Sequence, residues 1–495
     1  MPTIANRLLK SSAFLLLAKS IQRTLGLISI MVLARVLMPN DFSVVAIAAL
    51  LLYFCETLAA TGSEPYIIHK DDLYPSDLST AWTIDLIIKS VIFILLVIAV
   101  PFIADFYEDP RLVPVLYATS SILLINALKS PGLILLKRNL DYRKIFFVMI
   151  IQKFCAFTVT LSIALTTESY WALIIGDITS ASVLCVGSYL IHTFRPRPCL
   201  TNWRNQWRFS KWILFRASVG FSKSQMDSLL ISKFFSAPEL GAFYITKSLS
   251  VLPSTDIIGP VVEPLLASLS RVRNNLQEFN QQLSKAIFVI TSVVMPIVVF
   301  MWFFPDHIIN FFFGSEWAIA YPMLPPLSIV LATIAFGQVI NQAITSLGKV
   351  KALFVFEVIG LLTLAIALYS SRGMAIGHFI EIRAAFAVIL VLGIIIFLRQ
   401  CTGIRTLRLA VLISPTVLLA ILSAWLTEKA EIFLNIEVNS LSVFPVASLY
   451  FALLVPAFLL TLFTLYSRYD EGAFALKIIK NVLRDLRAKL SKSNK

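Results

Sequence analysis

The sequence predicts an all-α polytopic membrane protein of about fourteen transmembrane helices, and three observations carry that reading. Of its 495 residues 58% are hydrophobic and only 14% are charged, where soluble domains carry about a quarter. The apolar residues fall in windows of roughly 20, the length that crosses a hydrocarbon core. The basic residues gather in alternate loops between those windows. Together these exclude a disordered chain, a collagen-like repeat and an ordinary soluble enzyme of this length.

Taken in order, the first window, 12–34, follows Arg7 and Lys10, a start that superficially resembles a signal peptide. Lys19 and Arg23 interrupt the apolar run and no small-residue cleavage site follows it, so it reads as a retained first span. Arg35 closes it, and a polar turn leads into 42–62. Windows 80–103 and 114–136 follow, with Arg111 between them. The run Lys137-Arg138, with Arg143 and Lys144, leads into 145–165 and 170–192. The loop 193–212 carries Arg195, Arg197, Arg204, Arg208 and Lys211 and divides these six spans from the next. Windows 213–235, 241–266, 284–304, 322–347, 351–370 and 374–398 form a second six, the second of them interrupted by Pro253, Gly259 and Pro260. Two more, 409–426 and 443–466, complete the count.

The basic loops alternate with loops holding only Arg35, Arg111, Arg372 and Lys429. Basic residues in short loops stay on the cytoplasmic side, so both termini are expected in the cytoplasm, with 304–321 and 427–442 outside. The net charge of +14 is thereby a topology signal. Nucleic-acid binding would need that charge on a folded soluble face, and the sequence offers none. The tail 467–495 repeats Ala475, Ile478, Ile479, Val482, Leu486 and Leu490 at helical spacing, with Lys477, Lys480, Arg484, Arg487 and Lys489 between them. It reads as a basic amphipathic helix lying on the anionic inner leaflet.

An internal repeat crosses the six-span divide. Leu33-Ala-Arg-Val-Leu-Met-Pro-Asn-Asp-Phe-Ser43 resembles Ile231-Ser-Lys-Phe-Phe-Ser-Ala-Pro-Glu-Leu-Gly241. A base precedes an acid by six residues in each copy, and a large apolar and a tiny residue follow. The organisation expected is a six-helix lobe (1–192), a basic linker (193–212), a second six-helix lobe (213–398), two additional helices (399–466) and the tail (467–495). Parallel repeats of this kind are a known transporter architecture, with the substrate path between the halves.

Charges inside the windows select candidate functional residues, because an unpaired one at mid-membrane costs at least ~2.5–3.5 kcal/mol. Lys19 and Arg23 share a face of the first span. Asp85 and Lys89 have the same i,i+4 spacing and are placed to neutralise each other. Arg216, Lys223 and Asp227 fall within about 40° on one face, with Gly220 between them. Lys247, Asp256 and Glu263 follow in the broken span. Lys19, Arg23, Arg216 and Lys223 are the candidate substrate-binding set. Asp85, Asp227 and Asp256 are the candidate coupling or cavity acids. Cations lead, so the expected cargo is anionic; a diphosphate suits guanidinium forks better than point charges.

No catalytic constellation competes. The four histidines are scattered without metal spacing, the five cysteines read as small apolar fillers, and there is no phosphate-binding G-x-x-x-x-G-K. Neither a metal nor a cofactor is expected.

Several segments then carry a resemblance. Leu33 to Ser43 resembles the signature after the first span of the Wzx-type polysaccharide-export flippases, of the superfamily that also holds the multidrug antiporters. Lys137-Arg-Asn-Leu-Asp-Tyr-Arg-Lys144 is similar to that family's basic loop. Phe313-Gly-Ser-Glu-Trp317, with Ala320 and Leu324, is similar to its external motif. Asp227 through Pro253 and Leu347-Gly-Lys349 complete the match. Ser43 stands where the family usually has glycine, a departure that bears on local turn geometry alone. The resemblance implies a multidrug-antiporter-like fold in the bacterial inner membrane. It implies transfer of an undecaprenyl-diphosphate-linked oligosaccharide to the periplasmic leaflet by alternating access, driven by an ion gradient, with a polymerase and co-polymerase as partners. The alternatives are a cation-coupled small-molecule antiporter and a membrane enzyme acting on polyprenyl-linked sugars.

Overall fold

The computed structural model describes residues 4–464 apart from 71, 140, 202, 255–257 and 440. It leaves out the side chains of 1–16, 69, 205, 208–213, 216, 260–261, 263 and 267. Among the described residues every regular element is a helix. Contacts gather them into two compact units, Met1–Tyr244 and Ile245–Lys495. The tail helix expected over 467–495 lies outside the described residues.

The first unit holds α1 (Ile4–Val36), α2 (Pro39–Leu58), α3 (Ser63–His69), α4 (Pro75–Tyr107), α5 (Leu112–Ala127), α6 (Gly132–Arg138), α7 (Tyr142–Thr167), α8 (Trp171–Leu190) and α9 (Trp203–Phe234). Helix α10 (Ala237–Pro253) begins in it. Helices α7 and α8 pack side by side, α1 lies on α7, and α5 bridges α4 and α8. Close approach is permitted by small residues: Gly176 sits on Thr160 and Gly187 on Val148, each leaving no room for a Cβ. Such contacts drive association where no hydrophobic force separates helix from lipid. Helix α4 instead turns Leu95, Ile98 and Phe102 outward, as a lipid-facing helix does.

Helix starts explain much of the loop sequence. The Met38 N–H donates to Asp41 Oδ2 at 3.1 Å, Tyr74 N–H to Asp77 Oδ2 at 3.0 Å, and Ser236 N–H to Glu239 Oε2 at 2.9 Å. An acid at the third helical position closes the backbone and complements the helix dipole. Pro39 and Pro75 take the first helical position, where a missing N–H costs nothing.

The second unit holds α11 (Gly259–Arg271), α12 (Leu276–Phe303), α13 (Pro305–Phe312), a 3-10 helix (Ser315–Met323), α14 (Leu324–Ser346), α15 (Val350–Ser370), α16 (Ile376–Thr402), α17 (Thr406–Phe433) and α18 (Val443–Thr464). Helix α14 is central, packed on α11, α12 and α16, while α17 joins α12 to α18. Tyr450 is buried and donates to the Pro296 carbonyl at 3.0 Å. The motif from Phe313 is a packing device: Phe313, Trp317, Ala320 and Leu324 are all buried, and Gly314 turns the chain at φ +97°. Buried His307 bonds Ser442 Oγ at 2.6 Å through Nδ1 and Glu431 Oε1 at 2.7 Å through Nε2. It ties α13 to α17 and to the loop that follows it.

All fourteen predicted windows fall on a helix or a helix pair, but fewer pass as spans. Eleven helices are long and apolar enough to cross a membrane among the described residues, or twelve with the bent pair α5 and α6 counted as one. Two windows are not among them. Helix α9 carries Arg216, Lys223, Asp227 and Lys233 along its length. The other window holds α10 and α11 on either side of 255–257, which lie outside the described residues. The α5–α6 break was not foreseen; the helices meet at 60°, with Lys129 and Pro131 in the bend.

Candidate functional site

Lys19 and Arg23 stand one turn apart on α1 and are both exposed. Gln22 beside them is turned inward, and its Nε2 donates to the Met149 carbonyl at 3.0 Å, which seats α1 on α7. Gly26 continues that contact, lying 3.6 Å (from where its Cβ would be) from Lys153 Nζ. Lys153 has Asp177 of α8 and Arg23 as its charged neighbours. Lys153 and Asp177 lie within the windows 145–165 and 170–192, and the packing of α1, α7 and α8 brings Lys153 near both Asp177 and Arg23.

On α9 the polar stripe has two sides. Gly220 and Lys223 are exposed, and the space over Gly220 is open. Asp227 is buried, at 3% exposure, and accepts the Ser228 N–H at 2.8 Å. Arg216 lies on the same helix with its side chain outside the described residues, and Asp256 is outside them altogether. Helix α9 packs against α2 and α4, whereas α1 packs against α7. The two cation-bearing helices thus sit on different neighbours of one unit.

Asp85 is a hub rather than half of an ion pair. It accepts hydrogen bonds from Thr61 Oγ1 and, at 2.8 Å, from Ser63 Oγ, and Ser63 in turn accepts from Gln206 Nε2 at 2.7 Å. Three segments, the α2–α3 turn, α4 and the first turns of α9, are held by one carboxylate. The expected neutralisation by Lys89 does not occur: its Nζ reaches the Asn126 carbonyl, at 3.5 Å. Hydroxyls from the neighbouring turn reach Asp85 first.

Asn126 also donates to Glu56 Oε1 at 2.7 Å, and Lys129 stands near both Glu56 and Lys89. Glu56 was legible as an acid inside the second span, yet its partner lies 70 residues away. Lys137 of the basic loop makes an ion pair with Glu64 at 2.7 Å, and Arg138 donates to the Ile67 carbonyl at 2.7 Å. These clamp α6 to α3, a purpose that no local pattern announces.

At the opposite ends of these helices Arg111 grips Asp109 through Nε and Nη2, the latter at 2.7 Å, and its Nη2 also reaches Asn40 Oδ1 at 3.3 Å. Burial pushes the Asp109 carboxyl up, but the Arg111 hydrogen bonds and charge outweigh it and hold the group below the usual carboxylate range. Lys233 donates to the Phe106 carbonyl at 2.7 Å, at the end of α4. Among the described residues no group of three or more His, Cys, Asp or Glu could hold a metal.

The bundle, with exposed cations on helices of membrane-spanning length, defines a class: a polytopic helical membrane protein. Its fold matches the inward closed conformation of lipid II flippase MurJ with a TM-score of 0.71 at 13% identity, covering 89% of this chain and 97% of that one. It matches an inward-facing multidrug resistance MATE transporter at 0.56, again at 13% identity, covering 79% and 95%.

In sequence, the lipopolysaccharide biosynthesis protein WzxC of Escherichia coli (strain K12) is 19% identical over 68% of this chain and 69% of its own. The succinoglycan biosynthesis transport protein ExoT of Rhizobium meliloti (strain 1021) is 22% identical over 66% and 67%. Residues 32–322 match the polysaccharide biosynthesis protein family, and the chain belongs to that family.

Proposed function

We propose that the protein is a flippase that carries an undecaprenyl-diphosphate-linked oligosaccharide across the bacterial inner membrane by alternating access, for the building of a surface polysaccharide. Membership of the polysaccharide biosynthesis family over residues 32–322 is the observation that carries the reading. The names of the relatives, a transport protein among them, and the flippase-like fold support it. Both termini lie in the cytoplasm, as the basic loops require.

Lys19, Arg23, Arg216 and Lys223 hold the diphosphate. A diphosphate has too many acceptor oxygens for one donor, and two forked guanidiniums with two ammonium groups match it. The polyprenyl chain remains in lipid, where its transfer costs nothing, and only the head group needs a polar path. Among the acids, buried Asp227 stands one turn beyond Lys223 and suits proton uptake as the phosphate leaves. Asp85, with its hydroxyl donors, suits a structural role. A polymerase and co-polymerase then take the delivered unit.

The test is made in the native host. Deleting the gene should abolish the surface polysaccharide and accumulate lipid-linked repeat units on the cytoplasmic side, where a glycosidase added to spheroplasts, from which the outer membrane has been opened, cannot reach them. Repeat units that reach the periplasm normally without the protein would refute the reading.

A further inference from the structure

Three arginines meet at the corner where α16 gives way to α17. Arg399 lies in the last turn of α16, Arg405 immediately precedes α17 and Arg408 is in its first turn, and all three are exposed. Gly403, at φ +66°, ends α16 in the left-handed conformation and reverses the chain. That reversal puts Arg399 around the same hollow as Arg405 and Arg408, a cavity of about 700 Å³. Beyond the arginines its wall is apolar, formed by Leu407, Val411 and Pro415. Leu407 and Val411 are 78% and 54% exposed, so the apolar face continues along α17. None of these residues belongs to the cation set on α1 and α9.

A cationic head over an apolar wall is the complement of an anionic amphiphile. We propose that this hollow binds an anionic phospholipid, with its phosphate on Arg399, Arg405 and Arg408 and an acyl chain against Leu407, Val411 and Pro415. Guanidinium forks take phosphate oxygens in pairs, and basic pockets between membrane helices on the inner side suit anionic head groups. Charge selects the occupant. A zwitterionic lipid brings its own cation to the arginines. The end of this chain, 467–495, carries eight Lys and Arg against three acids and would be repelled. Free phosphate would leave Leu407 and Val411 facing the hollow uncovered.

The full-length protein, purified in a mild detergent, is mixed with phosphatidylglycerol, phosphatidylcholine or inorganic phosphate and the retained adducts are weighed by native mass spectrometry. Phosphatidylglycerol should be retained in preference to phosphatidylcholine, and inorganic phosphate should not displace it. The triple variant R399Q/R405Q/R408Q should lose that preference by roughly a hundredfold, since each basic residue near an anionic surface contributes about a fivefold factor. R399K/R405K/R408K should restore part of it, and Arg204→Gln should leave it unchanged. Should the glutamine variant not fold, Val411→Glu, on an already exposed face, keeps the arginines and should expel the acyl chain. Equal retention of both lipids, retention undiminished in the variants, or complete displacement by inorganic phosphate overturns the assignment. Capture of the chain's own tail by a photo-crosslinker at position 411 overturns it as well.

Discussion

Gly241, near the start of α10, lies directly against the Pro39 carbonyl at the start of α2: a Cβ there would run into that oxygen and stand 3.1 Å from the Ser43 nitrogen. The two positions belong to the two copies of the internal repeat, so the copies touch at their helix starts. Each copy uses its acid in the same way, Asp41 accepting from Met38 N–H and Glu239 from Ser236 N–H. Ser43 occupies the glycine-equivalent position of the first copy without strain, inside a helix, its hydroxyl donating to the Asn40 carbonyl at 2.7 Å.

This contact makes the first prediction. Gly241→Ala should destabilise the first unit by about 1–3 kcal/mol, the usual cost of overpacking, and Gly241→Leu by more. Ser43→Gly should cost under about 1 kcal/mol, the helix-interior cost of glycine. Thermal unfolding of the detergent-solubilised protein measures all three, and an alanine variant as stable as the native chain would show that the helix starts separate freely.

The candidate site makes the second. Arg23→Ala and Arg216→Ala should each weaken binding of the lipid diphosphate by about 1.5–3 kcal/mol, ten- to a hundredfold, as loss of a charged hydrogen bond does. Export should stop while the protein reaches the membrane in normal amounts, and Arg→Lys should recover only part of it. Normal surface polysaccharide from the Arg23→Ala, Arg216→Ala double variant would mean that these charges serve the fold alone.

Acid should loosen the linker after α8. His192 Nδ1 accepts the Phe194 N–H at 3.0 Å, and its ring sits against Gly132, 2.7 Å from where a Cβ would be. Burial, then the charges of Lys144 and Arg195, push its pKa below the usual histidine value. With the folded value depressed, the unfolded state binds the proton first, so stability falls as pH drops below about 6.5. The protection factor of the Phe194 amide, its exchange rate corrected for the intrinsic pH dependence, should therefore fall between about pH 7 and 5, and His192→Gln should flatten that fall. A protection factor that stays constant across that range in the native protein would exclude the switch.

Orientation gives the last prediction. In a background free of native cysteines, Arg197→Cys should resist an impermeant thiol reagent in intact cells and react once they are opened. Glu437→Cys, exposed in the loop after α17, should react in both. Labelling of position 197 from outside would invert the topology.

The sequence by itself determined the architecture class. Apolar windows, the positions of Pro and Gly, and the acids at helix starts are local signals, and a lipid environment enforces them because every backbone group must be satisfied within a helix. Lys19 and Arg23 were legible as costly charges, and both are exposed on α1. Only the tertiary structure decided what each charge touches. Asp85 has Lys89 one turn away yet is taken by Thr61 and Ser63, and Lys137 finds Glu64 across 73 residues. A helix period says which residues share a face, but the partner across that face is chosen by helix packing. That choice turns on small residues such as Gly176, whose missing Cβ admits the Thr160 side chain, and Gly241, whose missing Cβ lets two backbones meet.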